Sequence, residues 1–162
     1  MAVDYYLKID GIEGESTDSK LKDQIQVLSW SWGETNTGTA SHGTGMGAGK
    51  VSMQDFSFTM TVNKASPKLL LACAVGEHIK TALLTCRKAG TDQQEYLKIK
   101  FTELLISSYQ IGGSMGADSL PVDHVSFNYA KIEVEYAPQK TADGTLAGPV
   151  KVGYNLKELK KV

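Results

Sequence analysis

Apolar and polar residues alternate with a period of two along most of the chain. Val3, Tyr5, Leu7 and Ile9 fall on one side, with Asp4, Tyr6, Lys8 and Asp10 on the other. This is the pattern of a strand with one buried face. Phe56, Phe58, Met60 and Val62 repeat it, as do Leu97, Ile99 and Phe101 against Tyr96, Lys98 and Lys100. Further strands are predicted over residues 25–32, 81–87, 104–111, 125–136 and 150–156. Two of these change phase: apolar Val125, Phe127 and Tyr129 give way to Ile132, Val134 and Tyr136, and Ile25 and Val27 give way to Leu28, Trp30 and Trp32. A bulge at Ala130-Lys131 would produce the first slip. Burial of both strand faces, by the core and by a neighbouring subunit, is the alternative. Long, bulged, antiparallel strands predict a mainly β fold built as a barrel or bent sandwich. Trp30, Trp32, Phe56, Phe58, Leu97, Ile99 and Phe101 are expected in its core.

One helix interrupts the strands. Ser66 can cap a first turn opened by Pro67, and Gly76 can end it in the left-handed conformation, which predicts a short flanking helix over 67–75. Leu69, Leu70 and Cys73 would form its inward stripe. Residues 35–49 stand apart: five glycines from Gly38 to Gly49 and no charged residue between Glu34 and Lys50. Such a segment cannot bury itself, and ordering it costs entropy, so it reads as a protruding loop that needs something to dock against. Folded back as a hairpin it could project about 20 Å. Gly112-Gly113-Ser114-Met115-Gly116 is a second, smaller flexible turn.

Composition narrows the function. The 162 residues fit one domain, 1–162. Seventeen basic residues against eighteen acidic ones, a net charge of -1, argue against nucleic-acid binding and polybasic membrane binding. The longest clean apolar run, 69–75, is far short of a membrane span. The start lacks a basic segment followed by an apolar one, so synthesis and folding in the cytoplasm without a signal peptide are expected. Cys73 and Cys86 lie in apolar surroundings and are expected as buried, reduced thiols.

No chemistry stands out. Gly49-Lys50 resembles the end of a phosphate-binding loop, but Thr44 and Val51 occupy positions that need glycine and a hydroxyl residue. Gly43-Thr44-Gly45-Met46-Gly47-Ala48 runs into a strand, where a dinucleotide site needs a helix. His42, His78 and His124 show no metal-ligand spacing, and no nucleophile-elbow motif exists. Neither a cofactor, a metal nor an enzymatic activity is expected.

Several segments together resemble the hemolysin-coregulated protein (Hcp) family, whose members form the inner tube of bacterial type VI secretion systems. They are Leu7-Lys8-Ile9-Asp10-Gly11-Ile12 with Gly14-Glu15-Ser16, Val27-Leu28-Ser29-Trp30-Ser31-Trp32-Gly33, Gly49-Lys50-Val51, Ala65-Ser66-Pro67, Gly76-Glu77-His78, Arg87-Lys88-Ala89-Gly90, Glu95-Tyr96-Leu97, Gly148-Pro149-Val150 and Gly153-Tyr154-Asn155. Their order and spacing span the whole chain. Leu21 and Tyr154 depart from the His and Trp that many members carry. The resemblance implies a β-barrel with a flanking helix, hexameric rings with an open lumen, and rings stacked into a tube that a contractile sheath drives out of the cell. Implied partners are copies of the chain, the sheath and spike proteins, and small effectors in the lumen. On this reading Gly38, Thr39, His42, Gly45, Met46, Gly49 and Lys50 would serve the subunit interface, and Gly113 and Ser114 would touch cargo. Tyr6, Tyr96 and Tyr109, at exposed parity, are further interface candidates. The rival expectation is a monomeric ligand-binding barrel with the Gly-rich loop as a lid.

Overall fold

The computed structural model describes residues 2–38, 49–90, 92–116, 119–140 and 145–162. In chain order the elements are β1 (Val3–Ile9), β2 (Ile25–Val27), β3 (Ser29–Ser31), β4 (Glu34–Asn36), β5 (Val51–Met53), β6 (Phe56–Thr61), α1 (Ala65–Val75), β7 (Ile79–Lys88), β8 (Glu95–Gly112), β9 (Val122–Tyr136), β10 (Val150–Asn155) and β11 (Lys160–Lys161). Antiparallel ladders run β11-β10-β9-β8-β7-β1-β2, and β6 joins the free side of β9 and also carries β3. The predicted strand over 25–32 is two strands. β2 pairs with β1, Leu28 lies 57% exposed at the bend, and β3 pairs with β6. No ladder joins β2 to β6, so the sheet is barrel-like without closing into a barrel, and at that bend the Leu28 amide donates to the Thr59 carbonyl at 2.8 Å.

The parity slip in β9 is real, but its cause is not a register bulge at Ala130-Lys131. β8 is one continuous strand of 18 residues and changes face at the same level. Pairing keeps its register across the site, from Thr102↔Lys131 to Leu104↔Tyr129. Glu103 absorbs the turn with φ +53°, a conformation that side-chain-bearing residues rarely adopt within a strand. Both strands therefore turn together, and the buried series Ile99 and Phe101 becomes Leu104 and Ile106. Register shifts fall instead at Cys86/Arg87 and Ile106/Ser108.

Four phenylalanines fill the interior. Phe56 lies 4.9 Å from Phe101 and 5.1 Å from Phe127, and Phe58 packs beside both Phe56 and Phe127. Trp30, Trp32 and Leu97 are half-buried and packed against this cluster. Trp30 stacks on Phe56 at 6.0 Å and meets Tyr5 edge-on.

Tyr6 faces away from the core and is nevertheless buried. The loop after β1 folds across it, and Arg87 lies over its ring at 4.9 Å and donates to its hydroxyl at 3.2 Å. Asp18 on that loop holds Arg87 through two bonds of 3.0 and 2.7 Å. The guanidinium keeps the Asp18 carboxyl well below the usual carboxylate range. Gly14 permits the crossing: a Cβ there would stand 2.5 Å from the Gln24 carbonyl oxygen.

α1 starts two residues earlier than expected, and Asn63 takes the role assigned to Ser66: its Oδ1 accepts the Ala65 amide at 2.8 Å. Ser66 instead lies buried, and its hydroxyl donates to Asp123 at 2.5 Å. Gly76 ends the helix in the left-handed conformation, as expected. Ala65, Leu69 and Ala72 are buried, whereas Leu70 is 51% exposed, Leu71 and Val75 are exposed, and Cys73 is half-buried rather than buried. Cys86 is fully buried, and desolvation pushes its thiol up to about 12.

Candidate assembly and lumen surfaces

Alternation places small hydroxyl side chains opposite the phenylalanine core. On β3, β6, β9 and β8 the outward positions carry Ser29 and Ser31, Ser57 and Thr59, His124 and Ser126, and Ser108 and Gln110. They tie to one another across the strands: Ser29 to Thr59 at 2.6 Å and Ser108 to Ser126 at 2.5 Å, while Ser107 reaches Ser126 at 2.8 Å and donates to Asp55 at 2.6 Å. The result is a hydroxyl-rich wall. Its sequence signal was present in Ser29-Trp30-Ser31, Ser57-Phe58-Thr59 and Ser126-Phe127, where each aromatic marks the core and its neighbours mark the wall.

A second surface surrounds the arm formed by β4 and β5, a two-stranded sheet separate from the main one. An isolated hairpin of this size is marginal on its own, so its base is pinned. Trp32 Nε1 donates to the Tyr129 hydroxyl, which donates to the Gln54 carbonyl at 3.0 Å. Burial pushes Tyr129 up to about 12, so it stays a donor at neutral pH. Asn36 clasps the ends of the segment beyond, donating to the Gly49 carbonyl at 3.0 Å and accepting from the Gly38 amide at 2.9 Å. A Cβ on Gly49 would lie 2.7 Å from Thr37. Between the arm and the ends of β9 and β10 opens a groove of about 770 Å³, lined by Trp32, Met53, Val134, Val152, Tyr154 and Leu159, with Glu34 and Lys50 at its mouth.

The interface residues expected from sequence divide here. Gly38, Gly49 and Lys50 lie just past the far ends of β4 and β5, and Thr39, His42, Gly45 and Met46 lie outside the described residues. Gly113 and Ser114 are exposed where β8 turns toward β9, with the Ser114 carbonyl accepting from Ser119 at 2.7 Å. Tyr6 is consumed inside the subunit, and Tyr109 is half-buried with its hydroxyl donating to Asp123 at 2.9 Å. Tyr96 is half-buried beside Lys88. Among the groove residues, Val152 lies in a predicted strand but was given no role, and Leu159 was missed because it sits among Lys157, Lys160 and Lys161.

The family model described as "Type VI secretion system effector, Hcp" matches residues 6–136. The chain belongs to the Hcp family. It is 52% identical over 159 residues to protein Hcp1 of Pseudomonas aeruginosa, covering 98% of each chain. Among solved structures, a type six secretion system protein superimposes with a TM-score of 0.94 at 35% identity, covering 99% of this chain and 100% of that one. Hcp1 from Salmonella typhimurium gives 0.82 at 34% identity over the full length of both. Hcp proteins are secreted, tube-forming structural components of type VI systems and not enzymes. No helix among the described residues is long and apolar enough to cross a membrane.

Proposed function

We propose that this Hcp chain closes into a hexameric ring whose lumen is lined by the hydroxyl wall, and that rings stack into an exported tube. The wall carries this reading. One face of the sheet is used up by the core, while the other presents Ser31, Ser57, Ser108 and Ser126 without an Asp, Glu, Lys or Arg among its lining residues. Such a surface hydrates readily and holds no passenger too tightly to release. Gly113 and Ser114, at the end of the same β8 strand, extend the lumen contact, and small effector proteins are its occupants.

The subunit interface is assigned to the arm, to residues 38–50 and to the apolar groove beside it. Val150, Val152 and Leu159 are exposed there, and a neighbouring subunit would bury them. A contractile sheath outside the tube and a spike at its tip are the remaining partners. The chain is made and folded in the cytoplasm and leaves it through the type VI apparatus. The rival ligand-binding barrel draws no support from the interior, which the four phenylalanines fill. Electron micrographs of the purified protein test the proposal: six-fold annuli with an open centre are expected, and solitary globules at micromolar concentration would overturn it.

A further inference from the structure

The arm meets the rest of the subunit at two legs, residues 32–33 running from β3 into β4 and residues 54–55 running from β5 into β6. One side chain bonds to both. Tyr129, on β9, is 8% exposed; its hydroxyl accepts from Trp32 Nε1 on the entering leg and donates to the Gln54 carbonyl at 3.0 Å on the leaving leg. Phe101 backs its ring at 4.9 Å. The legs are also joined to each other, the Gln54 amide donating to the Gly33 carbonyl at 2.9 Å, whereas the bond from Ser107 to Asp55 at 2.6 Å holds the leaving leg alone. Beyond the legs, β4 and β5 have three residues each and, among the described residues, pair only with one another. A two-stranded ribbon is marginal by itself, so the inclination of this one is decided at the legs. The groove depends on that inclination. Trp32, Val51 and Met53 line its arm side and Val134, Val152 and Leu159 its sheet side, so tilting the arm moves one wall against the other.

The geometry points to the Tyr129 hydroxyl as a positioning group for self-assembly: by gripping both legs it holds the arm at the angle that a second copy of the chain must meet. The inference rests on the assignment of the arm and groove to the subunit interface. A ring closes only if every copy meets the next at the same rotation, and a contact made at variable angles gives open chains or none. An arm already held in its bound position also spares association the entropy of ordering it. Tyr129 is buried within the subunit, so its effect on a partner runs through Trp32 and Gln54.

Tyr129→Phe keeps the ring against Phe101 and removes both bonds. Two measurements on the purified full-length protein read the result. In light scattering across a dilution series, the concentration at which assemblies dissociate should rise roughly tenfold, the effect of losing two hydrogen bonds of ordinary strength. In hydrogen exchange on dissociated subunits, the amides of β4 and β5 should exchange faster by a similar factor while those of β6 and β9 keep their protection. Tyr109→Phe controls for stability alone. It removes a donor from the buried Asp123, so it should lower the denaturant midpoint and leave the dissociation concentration and arm exchange unchanged. Assembly or arm exchange unaltered in Tyr129→Phe, or an equal shift in Tyr109→Phe, overturns the inference and leaves the interface assignment standing. A single-chain mass for the unaltered protein at every concentration refutes that assignment and the inference with it.

Discussion

At the residue scale, the least ordinary position is Glu103, left-handed in the middle of an 18-residue strand. Glycine adopts that conformation freely and a β-branched residue resists it. Glu103→Gly should therefore melt above Glu103→Val, the reverse of ordinary strand preference, and a thermal scan in which the valine variant is the more stable would remove the left-handed turn. Asp18 offers a pH test. Its carboxyl is held below its unfolded value, first by the Arg87 hydrogen bonds, so it binds a proton less readily when folded. The stability it contributes is complete above the unfolded value of about 3.9 and drains away as pH falls below it. Asp18→Asn should weaken the protein at pH 7 and flatten the decline in urea midpoint between pH 5 and pH 3, whereas an unchanged acid profile would show that other carboxylates govern it. In the core, Phe56→Ala should cost about 3–5 kcal/mol by chemical denaturation. Trp30→Ala should cost less because that ring is half-buried, and equal losses would contradict the placement of the tryptophan at the margin.

At the element scale, α1 is joined to the sheet by the buried Asp123, which receives Ser66 on one oxygen and Tyr109 on the other. Ser66→Ala removes one donor from a buried carboxylate and should cost about 1–3 kcal/mol, read from denaturant midpoints, and a loss under 0.5 kcal/mol would show that the bond contributes little. The arm hangs on Trp32, Tyr129 and Gln54. Removing residues 39–48 should leave the near-ultraviolet dichroism of the core intact while weakening assembly, and unaltered assembly would place the interface elsewhere. These elements also show what could be read from sequence. Alternation in β1 and β6, and in β9 on either side of its phase slip, revealed the strands and the phenylalanine core, and Gly76 revealed the end of the helix. Tyr6 could not be placed, because its cover is Arg87, 81 positions away, brought over by β1–β7 pairing. The split between β2 and β3 was visible only as a phase slip, since the change of partner from β1 to β6 at Leu28 is a property of the folded sheet. Ser66 was legible only in part: its hydroxyl accepts the Asn63 amide at the helix start at 3.1 Å, but its bond to the distant Asp123 carboxylate is visible only in the fold.

At the scale of the whole molecule, a sheet with an aromatic interior and a hydroxyl exterior has two uses for its faces but leaves its flank unfinished. Exposed Val150, Val152 and Leu159 beside the arm, and a net charge of only -1, suit close approach of identical subunits. Family membership supplies the context of a secreted tube, and the wall of Ser31, Ser57, Ser108 and Ser126 supplies the surface such a tube needs inside. Multi-angle light scattering of the purified chain, measured across a dilution series, tests this most directly. The account predicts a particle of about six times the 17.5 kDa chain mass that dissociates once residues 39–48 are removed. A single-chain mass at every concentration would contradict it.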